Sequence, residues 1–213
     1  MKVALVAGST GLIGSQLLEL ILSDGYYDKV IAPTRKALVN RHPKLINPVI
    51  SFDKLSEHSS ELRANDVFCC LGTTIKKARS KEAFRKVDLE YPSALAKMAK
   101  ENNAGNFLLV SALGADKESS IFYNKVKGET EEVVTAAGIR SVHIFRPSLL
   151  IGPRKEHRSG EDAAKFVYKY LDFLVPEKYK GIESVKVARA MIAFAKKEQP
   201  GTFIHESRDL QVF

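Results

Sequence analysis

The sequence predicts an α/β fold in which a doubly wound parallel sheet carries helices on both faces. Three observations point to it. Short apolar runs alternate with amphipathic stretches along the chain, the runs are too continuously apolar to leave one face wet, and a glycine-rich turn joins the first run to the first amphipathic stretch. In chain order, VALVA (residues 3–7) reads as a buried strand and LIGSQLLELILS (12–23) as a helix. Further strands fall at VIAP (30–33), PVISF (48–52), DVFCCL (66–71), NFLLVS (106–111) and SVHIF (141–145). Helical patterns separate them, the longest over 80–102, and the chain closes with a helix near 184–197 and an edge strand at TFIH. With 213 residues the expectation is one domain over 1–213, with a small C-terminal extension, 149–183, on the substrate side.

Composition narrows the function classes. At 45% hydrophobic and 27% charged residues the chain has ordinary globular proportions. Its two cysteines, Cys69 and Cys70, are neighbours in an apolar strand, where they cannot pair with each other and act as small buried hydrophobes. That implies a reducing, cytoplasmic setting. The opening MKVALVAG is ended by glycine too soon for the core of a signal peptide, and no run approaches the roughly 18 apolar residues of a membrane span. The excess of 33 basic over 25 acidic residues gives a net charge of +8. The densest basic stretch, Lys76, Lys77, Arg79, Lys81, Arg85 and Lys86, has only Phe84 interleaved, so it reads as a solvated helix face, with a small-molecule partner expected in place of nucleic acid. A homo-oligomer is left open.

The turn GSTGLIG places Gly8, Gly11 and Gly14 between the first strand and the first helix. Glycines there let the backbone approach a pyrophosphate, which the free amides and partial positive charge of the helix N-terminus stabilise. No Gly-Lys-Ser/Thr follows, which excludes a Walker loop, and the pattern is not GxSxG. A dinucleotide is the expected ligand, and the end of the second strand selects which. Where NAD would require a carboxylate, the sequence has APTRK, with Thr34, Arg35 and Lys36. Arginine pairs with a 2′-phosphate through a fork of donors, so NADP(H) is favoured over NAD(H).

A second constellation lies in SALGADKESSIFYNKVKGETEE. Tyr123 and Lys127 stand at i and i+4, on one face of a helix, and Ser111 ends the preceding strand. A lysine ammonium beside a phenol favours the phenolate and suits it to acid–base work at neutral pH. Ser111 could hold a carbonyl oxygen against Tyr123 while hydride arrives from a nicotinamide.

The glycine turn and the Ser111, Tyr123, Lys127 set, in this order, resemble the atypical and extended branch of the short-chain dehydrogenase/reductase superfamily. The blocks CLGTTIKKARSKEAFRKVDLEYP, SALGADKESSIFYNKVKGETEE and FRPSLLIGPRKEHRSGE are similar to Tat-interacting oxidoreductase-like proteins and to short bacterial relatives of nucleoside-diphosphate-sugar epimerases. The resemblance implies a Rossmann-like fold and a role for each matching residue. Gly8, Ser9, Thr10, Gly11, Leu12, Ile13 and Gly14 would hold the pyrophosphate, Arg35 the 2′-phosphate, and Phe52 with Asp53 would flank the adenine. Leu71, Gly72 and Thr73 would line the adenosine ribose, Pro147 and Ser148 would meet the carboxamide, and Lys127 would also hold the nicotinamide ribose. The chain departs from the pattern in two places: no asparagine is assigned as a fourth catalytic member, and Lys186 in VKVARA stands where many extended members have aspartate.

After the sixth strand about 65 residues remain, too few for the large C-terminal lobe of sugar epimerases. Within them Arg154, Lys155, His157 and Arg158 could face an anionic substrate, although so polar a loop is more often simply solvated, and Phe166, Tyr170 and Phe173 read as a helix face packed on the core. The five histidines show no metal spacing, and His143 reads as a satisfied core residue. The expected function is an NADP(H)-dependent oxidoreductase acting on a carbonyl or alcohol. The alternatives are an NADP(H)-sensing interaction protein without turnover and an epimerase-like enzyme.

Overall fold

The computed structural model describes residues 1–152 and 180–213. Within these, seven strands form one sheet in which every pairing is parallel: β1 (Val3–Ala7), β2 (Lys29–Ile31), β3 (Leu45–Ile46), β4 (Asp66–Cys69), β5 (Asn106–Val110), β6 (Ser141–Arg146) and, last in the chain, β9 (Gly201–Glu206). A separate parallel ribbon joins β7 (Leu150–Ile151) to β8 (Ile182–Glu183). The order across the sheet is β3-β2-β1-β4-β5-β6-β9. The chain winds outward from β1 to β3, then crosses back to β4 and winds the other way. The reversal leaves a crevice at the carboxyl ends of β1 and β4, where such folds place ligands.

Helices α1 (Leu12–Ser23), α2 (Ile75–Ala78), α3 (Lys81–Arg85), α4 (Tyr91–Glu101), α5 (Phe122–Ala136) and α6 (Ser184–Ala195) complete the described elements, with 3₁₀ turns at Phe52–His58 and Ser207–Leu210. Alternate residues of the strands feed two cores. Leu5, Ala7, Val67, Cys69, Phe107, Leu109 and Ile144 pack with α4 and α5 on one face. Ala4, Val6, Phe68, Leu108 and Phe145 pack with α1 and α6 on the other. A strand buried on both faces has no room for polar alternation, which is why VALVA is apolar throughout.

Two elements differ from the sequence expectation. The expected strand at 48–52 is displaced: β3 is Leu45–Ile46, and the ladder resumes only at a Thr34–Val49 bridge before the chain turns into 3₁₀ helix at Phe52. Asn47 interrupts it by sending its amide to the Ala32 carbonyl (2.6 Å) and to Thr34 Oγ1 (2.8 Å), and Pro48 has no N–H to donate. The pattern over 80–102 is not one α-helix. Between α3 and α4 the residues Lys86–Glu90 form a π-helical turn. Such a turn leaves carbonyls without their usual partners. Here the Thr130 hydroxyl of α5 lies 2.8 Å from the Asp88 carbonyl and 2.7 Å from that of Val126. Ser93 Oγ donates to the Leu89 carbonyl at 2.6 Å. His143 is a satisfied core histidine: its ring bonds to Ser141 Oγ (3.1 Å) and to His205 (3.0 Å) and stacks on Phe203.

Candidate functional site

The turn after β1 is closed and held open by its glycines. Gly8 has φ +85°, and a Cβ on it would stand 2.4 Å from the Cys70 carbonyl oxygen, at the end of β4. A Cβ on Gly14 would stand 2.2 Å from the Gly8 oxygen, so the first turn of α1 rests directly on the loop. Gly11, by contrast, is exposed and caps α1 with no side-chain bond, and the first turn of the helix carries no acid. Ile13 belongs to the core, Leu12 is half-buried and Thr10 is exposed. The leading amides of α1 have no intrahelical acceptor. Beside them Ser9 Oγ is buried and has no hydrogen-bond partner among the described residues. An uncapped helix start, a neighbouring orphan hydroxyl and the absence of an acid fit a phosphate-bearing ligand.

At the end of β2, Thr34 is buried and bonded to Asn47, whereas Arg35 and Lys36 are exposed. The carboxylate of Asp53, after β3, pairs with Lys86 at 2.7 Å and accepts from the Tyr91 hydroxyl at 3.0 Å. Lys86 and Tyr91 hold its pKa below the ordinary carboxylate value. Phe52 packs on the Tyr91 ring, centroids 5.6 Å apart. Asp53 is therefore already engaged, and the charge of Arg35 reaches the Tyr91 phenol that bonds to it.

Tyr123 and Lys127 both lie on α5, as their spacing predicts. The Tyr123 ring is half-buried against Phe84, centroids 5.6 Å apart, and its hydroxyl has no hydrogen-bond partner among the described residues. Lys127 is buried, with its Nζ 2.8 Å from Asp88 Oδ1, and the two side chains are 7% and 0% exposed. Asp88 Oδ2 accepts the Thr73 amide at 2.8 Å. Burial by itself would lower the Lys127 pKa, but Asp88 and the Tyr123 phenol outweigh it and raise the value above that of an ordinary lysine. A Cβ on Gly72 would stand 3.3 Å from Asp88 Oδ1 and 3.7 Å from Lys127 Nζ, so bare backbone faces the pair. Leu71 packs at the rim of the core. Asp88 escaped the sequence reading. Its signal was an acid inside the apolar stripe Phe84, Leu95, Ala99, where burial demands a cation.

The remaining members are engaged elsewhere. Ser111, at the end of β5, donates its hydroxyl to Glu131 of α5, which accepts Arg146 Nη2 at 2.6 Å and Nε at 3.1 Å; Arg146 also reaches Glu206 at 3.2 Å. Glu131 heads the forces that raise the Arg146 pKa. The structure thus ties the Ser111 hydroxyl into a partly buried ionic chain. Ser148 Oγ donates to the Lys180 carbonyl and accepts from Ser207 Oγ at 2.8 Å, and the Pro147 carbonyl accepts the Leu113 amide at 3.0 Å. Lys186 donates to the Gln211 carbonyl, so it braces the C-terminus. Arg154, Lys155, His157, Arg158, Phe166, Tyr170 and Phe173, with most of 149–183, lie outside the described residues. Among the described residues no cluster has the composition of a metal site, and no helix is long and apolar enough to cross a membrane.

Known proteins are similar to this chain in sequence and in fold. The model of the NAD dependent epimerase/dehydratase family covers residues 4–199. The chain is 35% identical to the Rattus norvegicus protein HTATIP2 over 195 residues, 90% of this chain and 80% of the relative. It is 32% identical over 204 residues to the Candida albicans protein named FMP52, mitochondrial, covering 90% and 87%. Among solved structures, the Bordetella bronchiseptica enzyme WbmH in complex with NAD+ superposes with a TM-score of 0.73 at 20% identity, over 97% of this chain and 76% of that one. Thermotoga maritima UDP-glucose 4-epimerase superposes with 0.67 at 16% identity, over 99% and 88%. The cytoplasmic expectation is corrected here, because relatives from Candida albicans, Scheffersomyces stipitis, Debaryomyces hansenii and Coccidioides immitis are all named mitochondrial. Two unpaired cysteines fit any reducing compartment, so they could not single out the cytosol. With its fold, its glycine turn and a family match over most of its length, the chain belongs to the NAD dependent epimerase/dehydratase family.

Proposed function

We propose that this protein is an NADP(H)-dependent oxidoreductase that reduces a small carbonyl compound, with Tyr123 as the proton donor. What supports this reading is the end of β4: Gly8 and Gly14 of the uncapped, acid-free turn lie against Cys70, and, two residues on, the bare backbone of Gly72 lies against Lys127 of α5. In this reading residues 8–14 hold the pyrophosphate. Arg35, with Lys36 beside it, takes the 2′-phosphate, since Lys86 has already claimed Asp53. Phe52 and Asp53 flank the adenine, Leu71, Gly72 and Thr73 line a ribose, and Pro147 and Ser148 meet the carboxamide. The bound cofactor supplies hydride to the carbonyl carbon, and Tyr123 gives its proton to the carbonyl oxygen, leaving an alcohol. The segment 149–183 contributes the substrate side. The test is oxidation of NADPH against a panel of aldehydes, ketones and quinones by the parent and by Tyr123→Phe.

A second reading has its own observation. Ser111, which would complete the catalytic set, spends its hydroxyl on Glu131. A protein that binds NADP(H) to control a partner surface, without turnover, has no use for a free serine there. Tight NADPH binding with no oxidation of any panel member would favour it.

A further inference from the structure

A second concavity lies at the other end of the sheet. Where the chain enters β1, β4, β5, β6 and β9, Gly105 and six polar residues wall a cavity of about 190 Å³. It stands at the amino ends of the strands, so the five residues of β1, roughly 16 Å at about 3.3 Å each, separate it from the crevice. None of its walls belongs to the glycine turn or to the Tyr123 face of α5.

The acids around this cavity are already engaged. Asp66, fully buried at the start of β4, accepts the Tyr27 hydroxyl at 2.8 Å and the Asn106 side-chain amide at 2.7 Å, and Lys2 Nζ stands 3.4 Å from its Oδ2. The same ammonium donates to Glu198 at 2.6 Å, and the Tyr26 hydroxyl reaches that carboxylate at 3.0 Å. Lys2 thus sits between two acids and answers both. Glu198 keeps this arrangement with its backbone in the left-handed region, at φ +49°, which is costly for a residue other than glycine.

The donors, by contrast, are unspent. Arg140 is exposed on the cavity wall, and its guanidinium makes no hydrogen bond or ion pair among the described residues. Its charge reaches Glu198, whose pKa is held below the ordinary value by Lys2 and Tyr26 foremost and by Arg140 least. Asn65 accepts the Val3 amide on Oδ1 at 2.7 Å, which leaves its two amide hydrogens over. Asn103, at φ +57°, spends no side-chain hydrogen bond among the described residues. A guanidinium fork and two side-chain amides on one cavity, beside acids that a lysine has neutralised, make the donor set of an oxyanion.

We infer that this cavity binds a small molecule through a carboxylate or phosphate group, gripped by Arg140 and bonded alongside by the amides of Asn65 and Asn103. Lys2 shields the bound group from Glu198 and Asp66. The cavity is smaller than the roughly 300–1,000 Å³ of drug-sized ligand sites, so it takes an acid of a few carbons or a phosphate, not a dinucleotide. The inference stands apart from the reductase reading, because the two sites share no residue.

The test is a titration of the full-length protein with sodium succinate and, separately, sodium phosphate at constant ionic strength. Proton–nitrogen correlation spectra follow the backbone amides of Asn103, Gly105 and Ser141. A saturable shift at these amides is expected; saturation by succinate alone identifies a carboxylate ligand, by phosphate alone a phosphoryl group. Arg140→Gln, at an exposed position, is expected to keep the parent's urea midpoint and to weaken binding by about tenfold or more. Glu198→Gln, which releases the Lys2 ammonium, is expected to tighten it several-fold. Saturating NADPH is expected to leave the titration midpoint where it was. Shifts that rise without saturating with either salt, or an Arg140→Gln protein that binds as the parent does, overturn the proposal. So does a shift that NADPH abolishes, which puts the anion at the glycine turn instead.

Discussion

The α-carbon of Gly14 lies so close to the carbonyl of Gly8 that a Cβ there would stand 2.2 Å from its oxygen, whereas a Cβ on Gly11 would find the same oxygen at 3.2 Å and nothing else nearer than 4.0 Å. Two glycines of one turn therefore do different work. Gly14→Ala is expected to destabilise the fold by about 1–3 kcal/mol through overpacking, read as a lower urea midpoint. Gly11→Ala is expected to keep the parent's midpoint closely and to lose affinity for NADPH, because its side chain projects where a phosphate would lie. A Gly11→Ala protein that binds NADPH as the parent does would show the turn to be only a turn.

The proposed pairing of Arg35 with the 2′-phosphate would make this side chain select the cofactor. Removing one hydrogen bond to a charged group costs about 1.5–3 kcal/mol, so Arg35→Ala is expected to cut the preference for NADPH over NADH by roughly ten- to a hundredfold. Fluorescence titrations of both nucleotides on both proteins measure it. Equal affinities in the parent would remove the assignment.

Tyr123→Phe keeps the ring and its packing on Phe84, so NADPH affinity is expected to hold within about 1 kcal/mol. Carbonyl reduction is expected to fall by about 100- to 10,000-fold, the contribution of a placed general acid. Unchanged rates would send the search for the proton donor elsewhere.

Acid should weaken the protein before its carboxylates titrate. Burial first, and the neighbouring charges of His205 and Lys197 after it, pull the His143 pKa down to about 4; burial does the same to His205. Unfolded, both titrate near 6.5, so between roughly pH 6.5 and 4 the unfolded chain binds more protons than the folded one. Stability is therefore full above that window and falls as pH drops through it. Urea midpoints at pH 7.5, 5.5 and 4.5 should decline steadily, and His205→Phe should flatten the decline, the Phe filling a place already shared with Phe145 and Phe194.

The strands and α1 were legible because each face of the sheet is covered, and that leaves an unbroken apolar run with turn residues at its ends; β1 and α1 begin and end where their patterns do. Asn47 defeated the third strand. Its side chain mimics a backbone partner, which no apolar count can register. The π-turn was hidden for a related reason, since it adds a residue to a helical turn without changing composition. In the site, glycines and the Tyr123–Lys127 spacing were visible as sequence. The engagement of Ser111 with Glu131 was not, because it depends on the packing of α5 against β6, elements that no local pattern relates.

The short β7–β8 ribbon brings Leu150–Ile151 and Ile182–Glu183 side by side, with Gly152 against Ser184 and Ser184 bonded to Gln16 of α1. Residues 152 and 180–184, the two described flanks of the sequence between them, therefore stand side by side. Between two points held this close, closing a flexible loop costs only about 0.6 kcal/mol more for each doubling of its length. That makes the β7–β8 ribbon a graft point, where a loop of chosen length and chemistry could be joined while the sheet, the glycine turn and the Asp88–Lys127 pair stay as they are.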